Sequence, residues 1–520
     1  MNVKTEDFKT YNQNCDVIQL RDIGYRQELR RSFSTLEVFG IAYSIMGILP
    51  SLSSLAGTAY MAGPGGALWS WFLASIFIFS IGTSLAELAS AVPTSGGLYY
   101  WTFHYAPKKY RVPISFIIGF SNTMALCCGF VSIGYANAEQ IMSVVYIAKN
   151  GNLHITRGIL YGIFCGCVFL QTLCTCLSSR RIALLQRVSS ISHTAIVIVY
   201  FIALPIGTSR QKQHFNNGYF IFGQFNDFSD WPIGFQFVLS MTTAIYAIGA
   251  FDCCIHMSEE AKDASSSVPK GIMGSAAISI VFGFFIIICT SACMNSNILA
   301  IINTPTGFPI AQVIYDSLGK SWAVAIMTLM SICQWFIGAS GLTALSRQVW
   351  AFARDDGLPF SSFFKVVNKR AHVPIRAVLF AACVALVLGC ICFGGSTVSN
   401  AFFTLSVSGN YLAWGVPILL RLTTGRRNFV PGKFYLGSKL STLNSWISCL
   451  WAGFVIVISM FPTNWNVKAD TMNYTCVIFC CQLLFAFVYY YTVKYRYFQG
   501  PKSNLLMEDD GIKEVQKIEA

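Results

Sequence analysis

The chain has 520 residues; 54% are hydrophobic, only 11% are charged, and the mean hydropathy is +0.55. Charged residues make up about a quarter of an ordinary soluble domain, so this balance excludes a water-soluble enzyme, a disordered chain and a nucleic-acid-binding module. The net charge of +13 fits a polyanion partner only if the charges cluster, so their positions decide.

Twelve apolar runs follow one another along the sequence. In chain order they are spans 1 (38–62), 2 (66–90), 3 (112–138), 4 (158–178), 5 (184–206), 6 (233–254), 7 (271–294), 8 (322–346), 9 (377–395), 10 (398–420), 11 (443–462) and 12 (472–493). A helix needs about 20 apolar residues to cross a hydrocarbon core about 30 Å thick. Gly63-Pro64-Gly65-Gly66 divides spans 1 and 2, and Gly394-Gly395-Ser396 divides spans 9 and 10. Backbone in lipid must pair its polar groups internally, so the runs read as helices. None shows the alternation of a barrel strand. The first run follows Arg30-Arg31 and is too long for the core of a signal peptide, so it is expected to stay as a span. The expected fold is an all-α integral membrane protein with a tail over 1–35, a twelve-helix body over 36–495 and a tail over 496–520.

With both tails on the cytoplasmic side, 30 of the 36 Lys and Arg fall on that side. The six others are Lys149, Arg157, Arg210, Lys212, Lys320 and Lys468. This is the asymmetry of positive-inside topology, so the net charge is a topology signal and no nucleic-acid partner is expected. The 19 cysteines lie mainly within spans, as at Cys127-Cys128 and Cys253-Cys254, and read as small buried apolar groups. No loop has the ligand spacing of a zinc site, and no metal or cofactor is expected. Asn473-Tyr474-Thr475 has the form of a glycosylation sequon, hard against span 12.

The loops are too short to carry an effector domain. Gly319-Lys320-Ser321 resembles the end of a phosphate-binding loop, but Ile314 stands where its first glycine belongs. Twelve spans without a motor read as a secondary transporter driven by an ion gradient, not as an enzyme. Such a carrier needs a polar site in mid-membrane, and interrupted helices supply one where they line a cavity. Span 1 holds Ser44, Met46, Gly47, Pro50 and Ser51 at mid-depth; proline removes a helix hydrogen bond and crowds the preceding turn. Span 6 holds Tyr246, Ile248, Gly249 and Phe251, followed by Asp252. Each break opens a block of five spans. That is the pattern of an inverted repeat with discontinuous first helices, here about 36–206 and 233–420, with peripheral helices over about 443–493. Bare helix ends attract anions at the N-terminus and cations at the C-terminus. Together they suit a zwitterion, and Tyr246 and Phe251 add aromatic faces for an ammonium.

Ionisable residues within or beside spans are candidate functional groups. Asp252 either meets a cation or proton or caps the second half of span 6. Glu87, near the inner end of span 2, serves gating or fold support. Glu139, near the outer end of span 3, is expected to be solvated. Glu37 lies at the inner mouth of span 1. Glu259, Glu260, Lys262 and Asp263 form either a solvated loop or an inner gate paired with Arg347, Arg354 or Arg30-Arg31. Asn122, Ser132, Gln334, Ser340, Ser408 and Asn410 on spans 3, 8 and 10 complete the candidate pocket, and each is also suited to bridging helices.

Several segments resemble a known family. They are FGIAYSIMGILPS from Phe39, AELASAVPTSGGLYYW from Ala86, SEEAKDA from Ser258 with Val268-Pro269, SRQVWAFARDDGLP from Ser346, NYLAW from Asn410 and PGKFYLG from Pro431. In this order they resemble the amino acid–polyamine–organocation transporters, and within them the fungal GABA permeases of the amino acid/choline branch. The resemblance runs from about Asp22 to Gly500. It implies a LeuT-type fold of five plus five inverted spans with two peripheral ones, and a substrate site at the breaks in spans 1 and 6. It implies GABA or a related small amino acid as cargo, with choline, a polyamine or another organic cation as the alternative, and a non-transporting sensor as a remoter one. Relatives commonly couple to protons, through a span-5 lysine in bacterial members; counting from Ala183, that position here holds His193, which either takes and releases a proton, since it titrates near neutrality, or packs as a neutral side chain at the contact of spans 1 and 5. The membrane expected from the resemblance is the plasma or vacuolar membrane.

Overall fold

A computed structural model describes residues 15–211, 214–468 and 472–502; the start of the first tail and most of the last lie outside them. Eleven helices are long and apolar enough to cross a membrane, and the shorter apolar helix Ile233–Ala247 falls on span 6. Among the described residues there is no strand, only an isolated bridge between Phe33 and Ala261. All twelve expected spans are helical.

Spans 3 and 8 outrun furthest the apolar runs that announce them. Span 3 is Arg111–Ala148, 38 residues. It continues past Glu139, where the charge-free run stops. Span 8 is Lys320–Arg354, 35 residues, and carries Arg347 and Arg354 inside the helix because buried carboxylates neutralise both. Span 9 shortens to Ile375–Gly389 and ends in a tighter turn, Cys390–Gly394. Short helices join the spans, notably Gly97–Tyr105 and Pro309–Leu318.

Span 1 is two helices, Thr35–Met46 and Ile48–Tyr60. Gly47 separates them with φ 38°, a left-handed conformation that costs glycine least. Pro50 then offers no N–H to the preceding turn, and Ser51 Oγ donates to the Met46 carbonyl at 2.7 Å. Span 6 is Ile233–Ala247, an irregular stretch over 248–252, and the single turn Cys253–His256. Its second half is therefore much shorter than the sequence implies.

Span 3 lies between spans 8 and 10, and span 7 packs on span 2 and the first half of span 1. Their apolar residues form one continuous core with buried Trp71, Trp101, Trp350 and Trp414. Span 5 turns a row outward, Leu184, Val188, Ile191, Ile198 and Ile202, as does span 12 with Val477, Leu484, Phe485, Val488 and Tyr491. Such rows suit acyl chains. At the sequon, Asn473 Nδ2 donates to the carbonyls of Ser459 and Phe461, both at 2.9 Å, so the nitrogen that would take a glycan is already engaged.

Candidate functional site

The two interruptions open on one cavity at the middle of the bundle. Ile45, Ser51 and Ser54 come from span 1, and Tyr246, Gly249, Ala250 and Asp252 from span 6. Span 3 adds Gly129, Phe130, Ile133 and Ala136, span 8 adds Gln334, and span 10 adds Phe403, Ser406, Asn410, Tyr411 and Trp414. The second half of span 1 begins here, so its first N–H groups have no partner within the helix; the first half of span 6 ends here, where the Ala244 and Tyr246 carbonyls accept from the N–H groups of Ile248 and Gly249 and those of Ile245 and Ala247 are left over. Asp252 is the one carboxylate in the lining. It accepts from Trp414 Nε1 at 3.0 Å.

A bundle with two helices broken at a shared cavity is transporter architecture, and residues 33–481 match the amino acid permease family model. The chain belongs to the amino acid permease family. It is therefore a multi-pass membrane carrier of amino acids, not an enzyme. The permease is 48% identical to the GABA-specific permease of Saccharomyces cerevisiae over 492 residues, 94% of this chain and 86% of that one. It is 33% identical to an uncharacterised amino-acid permease of Schizosaccharomyces pombe, over 93% of this chain and 88% of the relative. Amino-acid permease BAT1 of Arabidopsis thaliana is 30% identical, over 94% and 96%.

Of the residues singled out from the permease sequence, Ser51, Tyr246, Gly249, Asp252, Gln334 and Asn410 line the cavity. Tyr246 shares a 2.7 Å hydrogen bond with Ser132 and packs on Phe403. Asn410 Oδ1 accepts from Asn122 at 3.3 Å. Gly47 makes the break in span 1 without lining the cavity. Met46 beside it, and Ile248 and Phe251 on span 6, are buried behind the wall rather than in it. Phe251 backs Trp414, their rings 4.8 Å apart. Asp252 makes no side-chain cap on Cys253–His256, so its alternative role as a cap is not the one it takes. Ser408 faces away and bonds Ser459 at 2.7 Å.

Ser44 and His193 belong to a second polar cluster, behind the break in span 1. Ser44 bonds Ser189 of span 5 and, at 2.8 Å, Ser340 of span 8, which donates to Gln186 at 2.7 Å. His193 Nδ1 lies 2.8 Å from the Ser189 carbonyl. Its Nε2 is buried without a partner among the described residues and faces Gly47, where an added Cβ would lie 2.8 Å from it. Trp414, Ser189 and Gln186 are not among the pocket residues the sequence points to. Trp414 follows Asn410 by one helical turn, a signal present in the sequence; the span 5 residues give none.

The end of the bundle that holds the N-terminal segment is closed by buried ion pairs. Glu259 takes two bonds from Arg354, at 2.8 and 3.0 Å, and one from the Ser95 N–H at 3.1 Å. Glu260 pairs with Arg347 at 2.7 Å. All four side chains are buried, so the expectation of a solvated loop fails for Glu259 and Glu260, a charge this deep surviving only with a partner, and holds for Lys262, which is exposed. Arg31, not Arg30, joins them, donating to the carbonyls of Ala261 and Ser258 at 2.6 and 3.2 Å. Asp16 lies 3.8 Å from Arg31 and accepts from the N–H groups of Asp263 and Ala264 at the start of span 7. Burial raises the Asp16 carboxyl above its ordinary range, and lowers the Arg31 guanidinium below its own. Glu87 is elsewhere: it pairs with Arg421 at 2.6 Å and accepts from Ser441 Oγ at 2.6 Å and the Leu436 N–H at 3.0 Å. Glu37 pairs with Arg187.

Proposed function

We propose that the permease moves GABA or a related small amino acid across a membrane by alternating access, coupled to protons. The observation that carries this reading is the shared cavity between the two broken spans. The carboxylate of a zwitterion would meet the Ile48 and Leu49 N–H groups at the start of Ile48–Tyr60, and its ammonium the carbonyls of Ile245 and Ala247 at the end of Ile233–Ala247 with Asp252 beside them. The 48% identity to a GABA-specific permease supports the choice of cargo. His193 and Asp252 are the proposed proton carriers, His193 through its unpartnered Nε2 behind Gly47. Glu259 and Glu260, with their arginines, are the proposed inner gate. The two halves, about 36–206 and 233–420, are the proposed inverted repeats, arranged with both termini in the cytoplasm of a cell whose plasma or vacuolar membrane holds the protein. The lysine and arginine asymmetry supports that orientation.

The test is uptake of labelled GABA by cells lacking their own carriers, with and without a proton uncoupler. Saturable uptake that collapses with the gradient is expected. Uptake indifferent to the uncoupler removes the coupling; none, with the protein at the surface, removes the cargo. A second reading, an organic cation such as choline or a polyamine, is favoured by the Asp252 carboxylate in the cavity wall. Labelled choline and polyamine in the same cells decide between them.

A further inference from the structure

Span 3, Arg111–Ala148, is enclosed along nearly its whole length. From Val112 to Ile147 a single residue is exposed, and it is Glu139. Its neighbours one turn away on either side, Tyr135, Ala136, Met142 and Ser143, are all buried. A helix that borders lipid shows exposure as a row repeating every three or four residues, as span 5 does at Leu184, Val188 and Ile191. An isolated exposed position on an otherwise enclosed helix opens instead into a gap within the bundle. A carboxylate facing acyl chains would also be costly.

The helix fixes where that gap lies. Glu139 is seven residues beyond Ser132, which places it about 10 Å further along and on nearly the same face. Ser132 bonds Tyr246 of the cavity wall, and Ala136, between the two, lines the cavity. The opposite end of span 3 is the closed one: there Ser115 bonds the Tyr99 carbonyl and Gln348 bonds Thr123, below the layer of ion pairs. Glu139 therefore overlooks the cavity from its far side. Among the described residues no hydrogen bond or ion pair reaches it. Two cations of that side are engaged elsewhere: Arg157 donates to the Phe393 carbonyl at 2.6 Å, and Lys320 to Asn150 at 2.7 Å.

We infer that Glu139 is a cation-selecting site at the outer mouth of the cavity, holding the ammonium end of an incoming amine and turning away dicarboxylates. This rests on the proposed transport of amines through the cavity. A carboxylate between low-dielectric walls concentrates counter-ions and raises their rate of arrival, by about tenfold or more in favourable cases and less as salt rises. A zwitterion can present its ammonium first; glutamate carries a second carboxylate that Glu139 repels.

The experiment compares wild type with Glu139→Gln and Glu139→Asp in proteoliposomes. Expected for Glu139→Gln is a KM for GABA raised roughly three- to tenfold with little change in maximal rate, weaker inhibition by putrescine, stronger inhibition by glutamate, and a gap from wild type that narrows at high salt. Glu139→Asp should restore most of the affinity. Unchanged KM and unchanged ranking of competitors in Glu139→Gln overturn the inference. A separate variant, Glu139→Cys, is treated with a membrane-impermeant thiol reagent from the outside and the adduct located by mass spectrometry. Labelling at that position is expected, and its absence places the residue in lipid and overturns the inference even if the substitutions abolish uptake. If wild type takes up no GABA while the Glu139→Cys variant labels, the cargo is wrong and the water-filled mouth stands; the selectivity is then read with whichever amine is transported.

Discussion

Gly47 shows how one residue can decide the shape of the site. Its φ of 38° is tolerable without a side chain, and a Cβ would overlap Ile337 and come within 2.8 Å of His193 Nε2. Backbone held in the left-handed region by a residue other than glycine costs on the order of 1–3 kcal/mol, before the clash is counted. Gly47→Ala should insert normally and lose at least about tenfold in uptake, each 1.4 kcal/mol being about a factor of ten; Gly453→Ala, with nothing within 4 Å of its added carbon, should be unaffected. Surface labelling and initial uptake rates check both. The same residue marks what can be read in advance. Glycine and proline announce the interruption, but which neighbours face the cavity depends on helix phase, and phase is lost where the helix is. Ser51 and Tyr246 fall on the open side, while Ser44, Met46, Ile248 and Phe251 fall behind it. No pattern in the sequence brings His193 to Gly47, because span 5 reaches span 1 only through packing.

At the scale of elements, the ion pairs explain why helix ends depart from the apolar runs. Freedom from charge locates the spans, and the rule fails where a charge is neutralised within the fold. Span 8 runs on through Arg347 and Arg354 because Glu260 and Glu259 wait for them, held on the turn after span 6. Removing one member of a buried pair leaves the other uncompensated, at about 3–5 kcal/mol. Arg354→Gln and Glu259→Gln should each lower the melting temperature of the purified protein sharply, and the double variant should recover much of the loss, since the coupling term cancels. Two single losses that simply add would show that the pair is not a coupled unit. The turn itself is built for this: Ser95 and Thr94, from the segment after span 2, also donate to Glu259, so that segment and span 8 converge on one carboxylate.

For the molecule as a whole, the number and order of the spans are legible because lipid imposes them on composition; the depth of each acid is not, because that is set by tertiary partners. Glu87 illustrates the difference. It joins span 2 to span 10 through Arg421 and to span 11 through Ser441, away from the cavity. Glu87→Gln should therefore lower thermal stability while leaving the KM for substrate unchanged, and a changed KM would return it to the passage. The N-terminal segment has a further consequence. Phe33 exchanges backbone hydrogen bonds with Glu260 and Lys262, just where span 6 hands over to span 7, and Phe33 itself leads directly into span 1. The two interrupted rods are thus moored to one another at the end of the bundle that holds this segment. Swinging either one would drag its counterpart, so the two would turn about a common pivot instead of working as independent doors.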